Sequence, residues 1–212
     1  MNLHAPPTNL VEAHEVIALD VHGVVFNNPL PYFLAELGAR SELGANRFKR
    51  RWRSTWRIPF WEGCISEDEM WAGIAPGVDP TCLRADLERR YRPGPWFDFV
   101  MDHDGPIWLL TNHRTDWLLP RLDRFGISDR FERVLVSDAL GAAKPSPAAF
   151  APLVARGSVA FFDDSQRNVD AANALGLTAT RVTTTPQHTR AVSLGATRAR
   201  PGSPHDHVDP HR

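Results

Sequence analysis

Five short runs at 16–19, 107–111, 134–136, 159–162 and 178–182 recur along the chain, most of them wholly apolar. Runs this short, bounded by Gly, Pro, Asn or Asp, read as strands rather than helices. From position 106 onward a helical stretch separates each from the next. In the first of these stretches Leu118, Leu119, Leu122 and Phe125 share one face and Gly126 stops the helix; 145–154 and 166–175 read as the other two. That rhythm predicts a parallel sheet with right-handed crossovers. The expected fold class is therefore α/β: a doubly wound, Rossmann-like parallel-sheet core.

Between about 29 and 102 the texture changes. Strand-like runs vanish, and 30–37, 42–56, 66–74 and 80–91 read as helices. Ser66 and Glu69 have the spacing of a capping box. Asp79-Pro80 has the form of an N-cap followed by Pro at the first helical position. The expected organisation is a core of 1–28 and 103–212 interrupted by a helical cap, 29–102. Residues 1–13 are expected to fray. About 185–212, rich in Pro, Thr, His and Arg, is expected to be a disordered tail.

Hydrophobic residues make up 42% of the 212-residue chain and charged residues 23%, enough apolar surface for a packed interior. No apolar run approaches a membrane span, so no membrane partner is expected. The first 15 residues lack a secretory pattern. Cys64 and Cys82 are too few for a disulfide framework and are expected to be buried thiols in a reducing, cytoplasmic compartment. A formal net charge of −1 argues against a general nucleic-acid coat. Of 24 basic residues only Lys49 and Lys144 are lysines.

In an open parallel sheet, functional groups gather beyond the carboxyl ends of the strands. Here those ends carry Asp20, Thr111 and Asp163 with Asp164, and Lys144 follows the run at 134–136. Three carboxylates together stay ionised only beside a cation. Oxygen-only ligands point to Mg²⁺, which also binds substrate phosphate. Lys144 and the Thr111 hydroxyl complete a site for a phosphoryl group. A carboxylate there can also act as a nucleophile and form an aspartyl-phosphate.

These residues stand in four motifs: Asp20-Val21-His22-Gly23-Val24-Val25, Leu110-Thr111-Asn112, Lys144-Pro145, and Phe162-Asp163-Asp164-Ser165 with Asn168. In order and spacing, across roughly 14–182, the chain resembles the haloacid dehalogenase (HAD) superfamily of hydrolases, chiefly phosphatases. An insertion directly after the first motif resembles the small helical cap of one branch. Within it, the segments 63–69 and 137–141 with Lys144-Pro145 resemble bacterial sugar-phosphate phosphatases of the glucose-1-phosphate type. The resemblance implies Mg²⁺-dependent hydrolysis of a phosphate monoester, a small phosphorylated metabolite, through an aspartyl-phosphate on Asp20. It implies phosphate binding by Thr111, Asn112 and Lys144. It implies metal binding by Asp20, the His22 backbone carbonyl, Asp163 and Asp164.

One position departs from the family pattern. Most phosphatases of this superfamily carry a second Asp two residues after the nucleophile, and here that residue is His22. Three readings stand open. His22 is itself the acid/base; its side chain is a bystander; or the chain is a pseudoenzyme that binds a phosphorylated ligand without turnover. A haloacid dehalogenase, which also lacks the second Asp, is a further alternative. It needs no metal, and the Asp163-Asp164 pair speaks against it.

The segment 47–57 contains six basic residues and two Trp. Phe48, Trp52 and Trp56 at four-residue spacing read as the apolar stripe of a helix with the basic residues solvated. The sharper alternatives are a basic cap face that attracts an anionic substrate, or a grip on single-stranded nucleic acid. Trp56, Trp61 and Arg57 are the cap side chains expected nearest substrate. His113 and Arg114 either touch substrate or serve the start of a helix. His205, His207 and His211 are expected to be solvated.

Overall fold

In the computed structural model, residues 5–41 and 44–183 are described. The expected tail, with His205, His207 and His211, lies outside them. Five strands, β1 (Val16–Leu19), β2 (Ile107–Thr111), β3 (Arg133–Val136), β4 (Val159–Asp163) and β5 (Thr178–Arg181), form one wholly parallel sheet in the order β3-β2-β1-β4-β5. β1 lies at its centre, with Ile17 level with Ile107 on one side and Ala160 on the other. The three central strands are buried at every position, which explains why they read as continuous apolar runs. β3 and β5 are edge strands and partly exposed, so Thr178 and Arg181 are tolerated there.

The two-residue period of the strands sorts their side chains between two cores. Ile17, Leu19, Ile107, Leu109, Ala160 and Phe162 enter one; Val16, Ala18, Trp108, Leu110, Val159 and Phe161 enter the other.

A helix, α1 (Thr8–Ala13), precedes the sheet, where the sequence reading expected frayed chain. Leu10 and Val11 pack on the first core, which holds it. Between β1 and β2 come α2 (Leu30–Arg40), α3 (Gly44–Arg51), a π turn (Trp52–Trp56), α4 (Arg57–Trp61), α5 (Glu67–Ile74), α6 (Pro80–Glu88) and α7 (Phe97–Asp102). After β2 come α8 (Thr115–Arg124), α9 (Ser137–Leu140), α10 (Pro147–Arg156) and α11 (Gln166–Ala174). Phe150 and Leu153 of α10 and Ala172 of α11 close the second core. The first core is continuous with the insertion: Phe33, Trp52, Phe60, Trp71, Leu83 and Leu87 join Trp117 and Leu118 of α8 in one cluster.

Both expected caps form. The Ser66 hydroxyl accepts from the Glu69 amide at 3.2 Å while Glu69 accepts from the Ser66 amide at 2.8 Å. Asp79 accepts from the Thr81 amide at 2.9 Å. The cysteines correct the sequence reading, because both are exposed. Cys82 stands in the first turn of α6, its thiol bonded to Asp79, and Cys64 in the turn after α4; neither side chain reaches a core.

Candidate active site at the carboxyl edge of the sheet

Asp20 is the first residue beyond β1, and its amide donates to the Phe162 carbonyl at 2.8 Å, which continues the sheet pairing by one residue. Asp163 closes β4, its neighbour in the sheet. The crevice between β1 and β4 is a switch point, because the connections leave these strands in opposite directions. Lys144 reaches into it from the loop after α9. Its ammonium donates to Asp20 Oδ1 at 2.9 Å, Asp163 Oδ2 at 2.6 Å and the Leu110 carbonyl at 2.6 Å. Burial opposes the charge on Lys144, but Asp163 and Asp20 outweigh it and hold the ammonium above its ordinary value.

Two side chains on the cavity wall fix this arrangement. Asn112 clamps the Lys144 backbone in both directions, donating to its carbonyl at 2.8 Å and accepting from its amide at 2.7 Å. Asn168 donates to both oxygens of Asp163 at 3.0 Å, and the Ser165 amide donates to Oδ1 at 2.8 Å. From the insertion, Glu62 accepts from the Ala143 amide at 3.1 Å, and the Ser137 hydroxyl donates to the Trp61 carbonyl at 2.5 Å. The segments 63–69 and 137–141, conspicuous in the sequence, therefore meet near the Lys144 loop: an added Cβ on Gly63 would lie 3.2 Å from the Asp138 carbonyl oxygen.

Ligand atoms of Asp20, Asp163 and Asp164 lie within 4.8 Å of one another. Burial, then Asp20 and Asp163, push the Asp164 carboxyl up to about 7. Such crowding disfavours ionisation, and a divalent cation would relieve it. Room for the cluster depends on Gly23: it has φ +80°, and a Cβ there would lie 2.5 Å from Asp164 Oδ2. The all-oxygen donor set fits a hard cation such as Mg²⁺.

Thr111 ends β2 with its hydroxyl buried and without a hydrogen-bond partner. It is not part of the cavity wall, whereas Asn112 is. His22 is among the residues lining the cavity; its Nε2 lies 3.0 Å from the Tyr91 hydroxyl, and its ring centroid lies 5.6 Å from that of Tyr91 and 4.9 Å from that of His113. Burial, then Arg121 and Lys144, push His22 down to about 3, so the imidazole is neutral. Tyr91, 69 residues away in the chain, carried no sequence signal for this role. His113 is fully buried and off the cavity wall, its amide donating to the Ser137 hydroxyl at 3.0 Å and its Nε2 lying 3.0 Å from Arg121.

The cavity holds about 210 Å³ and is lined by Asp20, His22, Asn112, Lys144, Asp164 and Asn168 on the sheet side. The insertion supplies the opposite wall, including Leu34, Lys49, Trp52, Arg53, Arg57 and Trp61. Of the three cap residues expected near substrate, Arg57 and Trp61 line the cavity and Trp56 does not. Phe48 and Trp52 are buried and Trp56 half-buried, as the apolar stripe required.

No family model matches the sequence, and no curated protein matches it. Solved structures do. An HAD family enzyme from Bacteroides thetaiotaomicron aligns at a TM-score of 0.64 and 18% identity, over 80% of this chain and 93% of that one. The same enzyme in complex with magnesium and inorganic phosphate aligns at 0.61 and 17% identity, over 79% and 93%. L-2-haloacid dehalogenase from Xanthobacter autotrophicus aligns at 0.55 and 18% identity, over 79% and 77%. At these identities the likeness establishes the fold: the chain has the HAD fold.

Proposed function

We propose that this chain is a Mg²⁺-dependent phosphate monoester hydrolase acting on a small phosphorylated metabolite. The observation that carries the reading is the Asp20–Lys144–Asp163 arrangement, a carboxylate at a sheet edge held by a buried ammonium and backed by two further carboxylates. The fold neighbour that binds magnesium and inorganic phosphate lends support. Asp20, Asp163, Asp164 and the His22 carbonyl would hold the metal. Bound there, it would supply charge neutralisation for the phosphoryl oxygens.

Asp20 attacks phosphorus in line, the phosphorus–oxygen bond to the leaving group breaks, that oxygen takes a proton from solvent to leave as the alcohol, and an aspartyl-phosphate forms on Asp20. Water then attacks that phosphorus and releases inorganic phosphate, restoring Asp20. Lys144 offsets the repulsion between Asp20 and the incoming phosphate and stabilises charge on the transferring group. Asn112 keeps the Lys144 backbone in place, while the Thr111 hydroxyl, enclosed behind the cavity wall, is given no contact with the phosphoryl group. We assign the His22 side chain a bystander role, since its Nε2 is engaged by Tyr91. That same engagement favours the pseudoenzyme as the second reading. A metal-independent dehalogenase, whose fold is shared, stands third.

Phosphate release from p-nitrophenyl phosphate and a panel of sugar phosphates, with Mg²⁺ or EDTA, tests all three. Release that needs Mg²⁺ and disappears in Asp20→Asn supports the phosphatase. Absence of release from folded protein with Mg²⁺ supports the pseudoenzyme. Halide release from a haloacid that ignores EDTA supports the dehalogenase.

A further inference from the structure

The basic run 47–57 divides in space. Arg47, Arg50 and Arg51 are exposed and off the cavity wall, while Lys49, Arg53 and Arg57 line it. Steps of four residues overrun the 3.6-residue α turn, and the wider π turn over Trp52–Trp56 takes up part of that overrun. Lys49, Arg53 and Arg57 thus stay on one wall, with Trp52 and Trp61 beside them. Both lysines of the chain, Lys49 and Lys144, line the same cavity from opposite sides.

Elsewhere, Arg84, Arg90, Arg114, Arg121 and Arg156 each pair with a carboxylate. Lys49, Arg53 and Arg57 pair with none among the described residues. Arg57 is half-buried, its Nε is enclosed without a hydrogen-bond partner, and burial, then Arg167 on the core and Arg53 beside it, push its guanidinium below the ordinary value. Like charges gathered without counter-ions are unfavourable, and a buried guanidinium donor left unpaired adds to the cost. Lys144 and the metal carboxylates already account for one phosphoryl group, so these cations are surplus to it.

We propose that the insertion wall is a second-anion subsite. Resting on the phosphatase reading above, the substrate is a phosphate monoester whose leaving group carries a further anionic group, a carboxylate or a second phosphoryl. Arg53 and Arg57 receive that group through their planar forks, and Lys49 as a point charge. Trp52 and Trp61 cover the carbon atoms between the two anions. A cavity of about 210 Å³ limits that connection to a few carbons.

Calorimetric binding of three non-hydrolysable ligands to the Mg²⁺-loaded protein tests this apart from turnover. Ethylphosphonate carries one anionic group, phosphonoacetate adds a carboxylate, and ethane-1,2-diphosphonate adds a second phosphoryl-type group. At least one two-anion ligand should bind fivefold or more tightly than ethylphosphonate, and the tighter of the two identifies the second group. Combining Lys49→Gln, Arg53→Gln and Arg57→Gln should bring the ratio below fivefold, with Arg57→Gln alone lowering it and Arg57→Lys retaining more of it. A ratio below fivefold in the native protein, or one that survives the triple substitution in folded protein, overturns the subsite. An intact ratio without any phosphate release leaves the subsite standing and overturns the phosphatase.

Discussion

Lys144 meets three acceptors inside the protein, and two of them are carboxylates. Removing one partner of a buried ion pair strands the other and costs roughly 3–5 kcal/mol. Lys144→Met should therefore lower the thermal midpoint markedly as well as abolish phosphate release, and calorimetric melting checks the first half independently. Gly23 is constrained from two directions at once, by its positive φ and by the Asp164 carboxylate. Gly23→Ala should cost about 1–3 kcal/mol of stability. It should also weaken Mg²⁺ binding, read by titration calorimetry, because relief of the clash displaces a metal-site carboxylate. Asp20 and Asp163 were legible as strand ends and Lys144 as one of only two lysines, standing after the run at 134–136, but only when the set was taken together. The Tyr91 hydroxyl on His22 was not, because nothing in either local sequence marks a contact across 69 residues.

At the scale of elements, local rules carried furthest where the stabilising partner lies within four residues. The Ser66–Glu69 box needs no tertiary contact to be read, and Ser66→Ala should cost about 1 kcal/mol in a melting comparison. Bonds from the Ser66 amide and hydroxyl hold the Glu69 carboxyl below its ordinary value. That contribution is complete above the unfolded-state value and is lost as pH falls through the folded one. The melting difference between the native chain and Glu69→Ala should accordingly shrink between pH 6 and pH 3. The stretch 42–56 shows where local reading stops. Its apolar period marks a helix, but the π turn at Trp52–Trp56 and the continuation through Trp61 are settled by packing. Trp52 and Phe60 are buried in the first core together, which fixes how far the chain must rotate between them.

Across the whole molecule, the insertion and the sheet core share one apolar cluster and a set of polar ties. Glu67 on α5 accepts from Trp71 at 2.9 Å, from Trp117 on α8 at 2.8 Å, and from Arg84 at 2.9 Å. Arg121 of α8 pairs with Glu88 of the insertion through two of its nitrogens. α2, α3, the π turn and α4, which wall the cavity, contribute Leu34, Phe48, Trp52 and Trp61 to that cluster. Metal binding should reinforce the same assembly: at a free Mg²⁺ concentration 100 times its dissociation constant, the gain is about 2.7 kcal/mol. Melting in MgCl₂ against EDTA should show the increase, and Asp164→Asn should remove most of it.

Strand and helix order, the parallel sheet and the acidic strand ends were determined by sequence alone, since apolar periodicity and turn residues act over short chain distances. Only the tertiary structure decided that Lys49, Arg53 and Arg57 turn toward the cavity while Arg47, Arg50 and Arg51 turn away. It likewise decided that Glu62 braces the Lys144 loop and that Tyr91 occupies His22. A basic residue on a helix reads the same in sequence whichever way it faces. Its direction is set by the burial of Phe48, Trp52 and Phe60 against partners far along the chain.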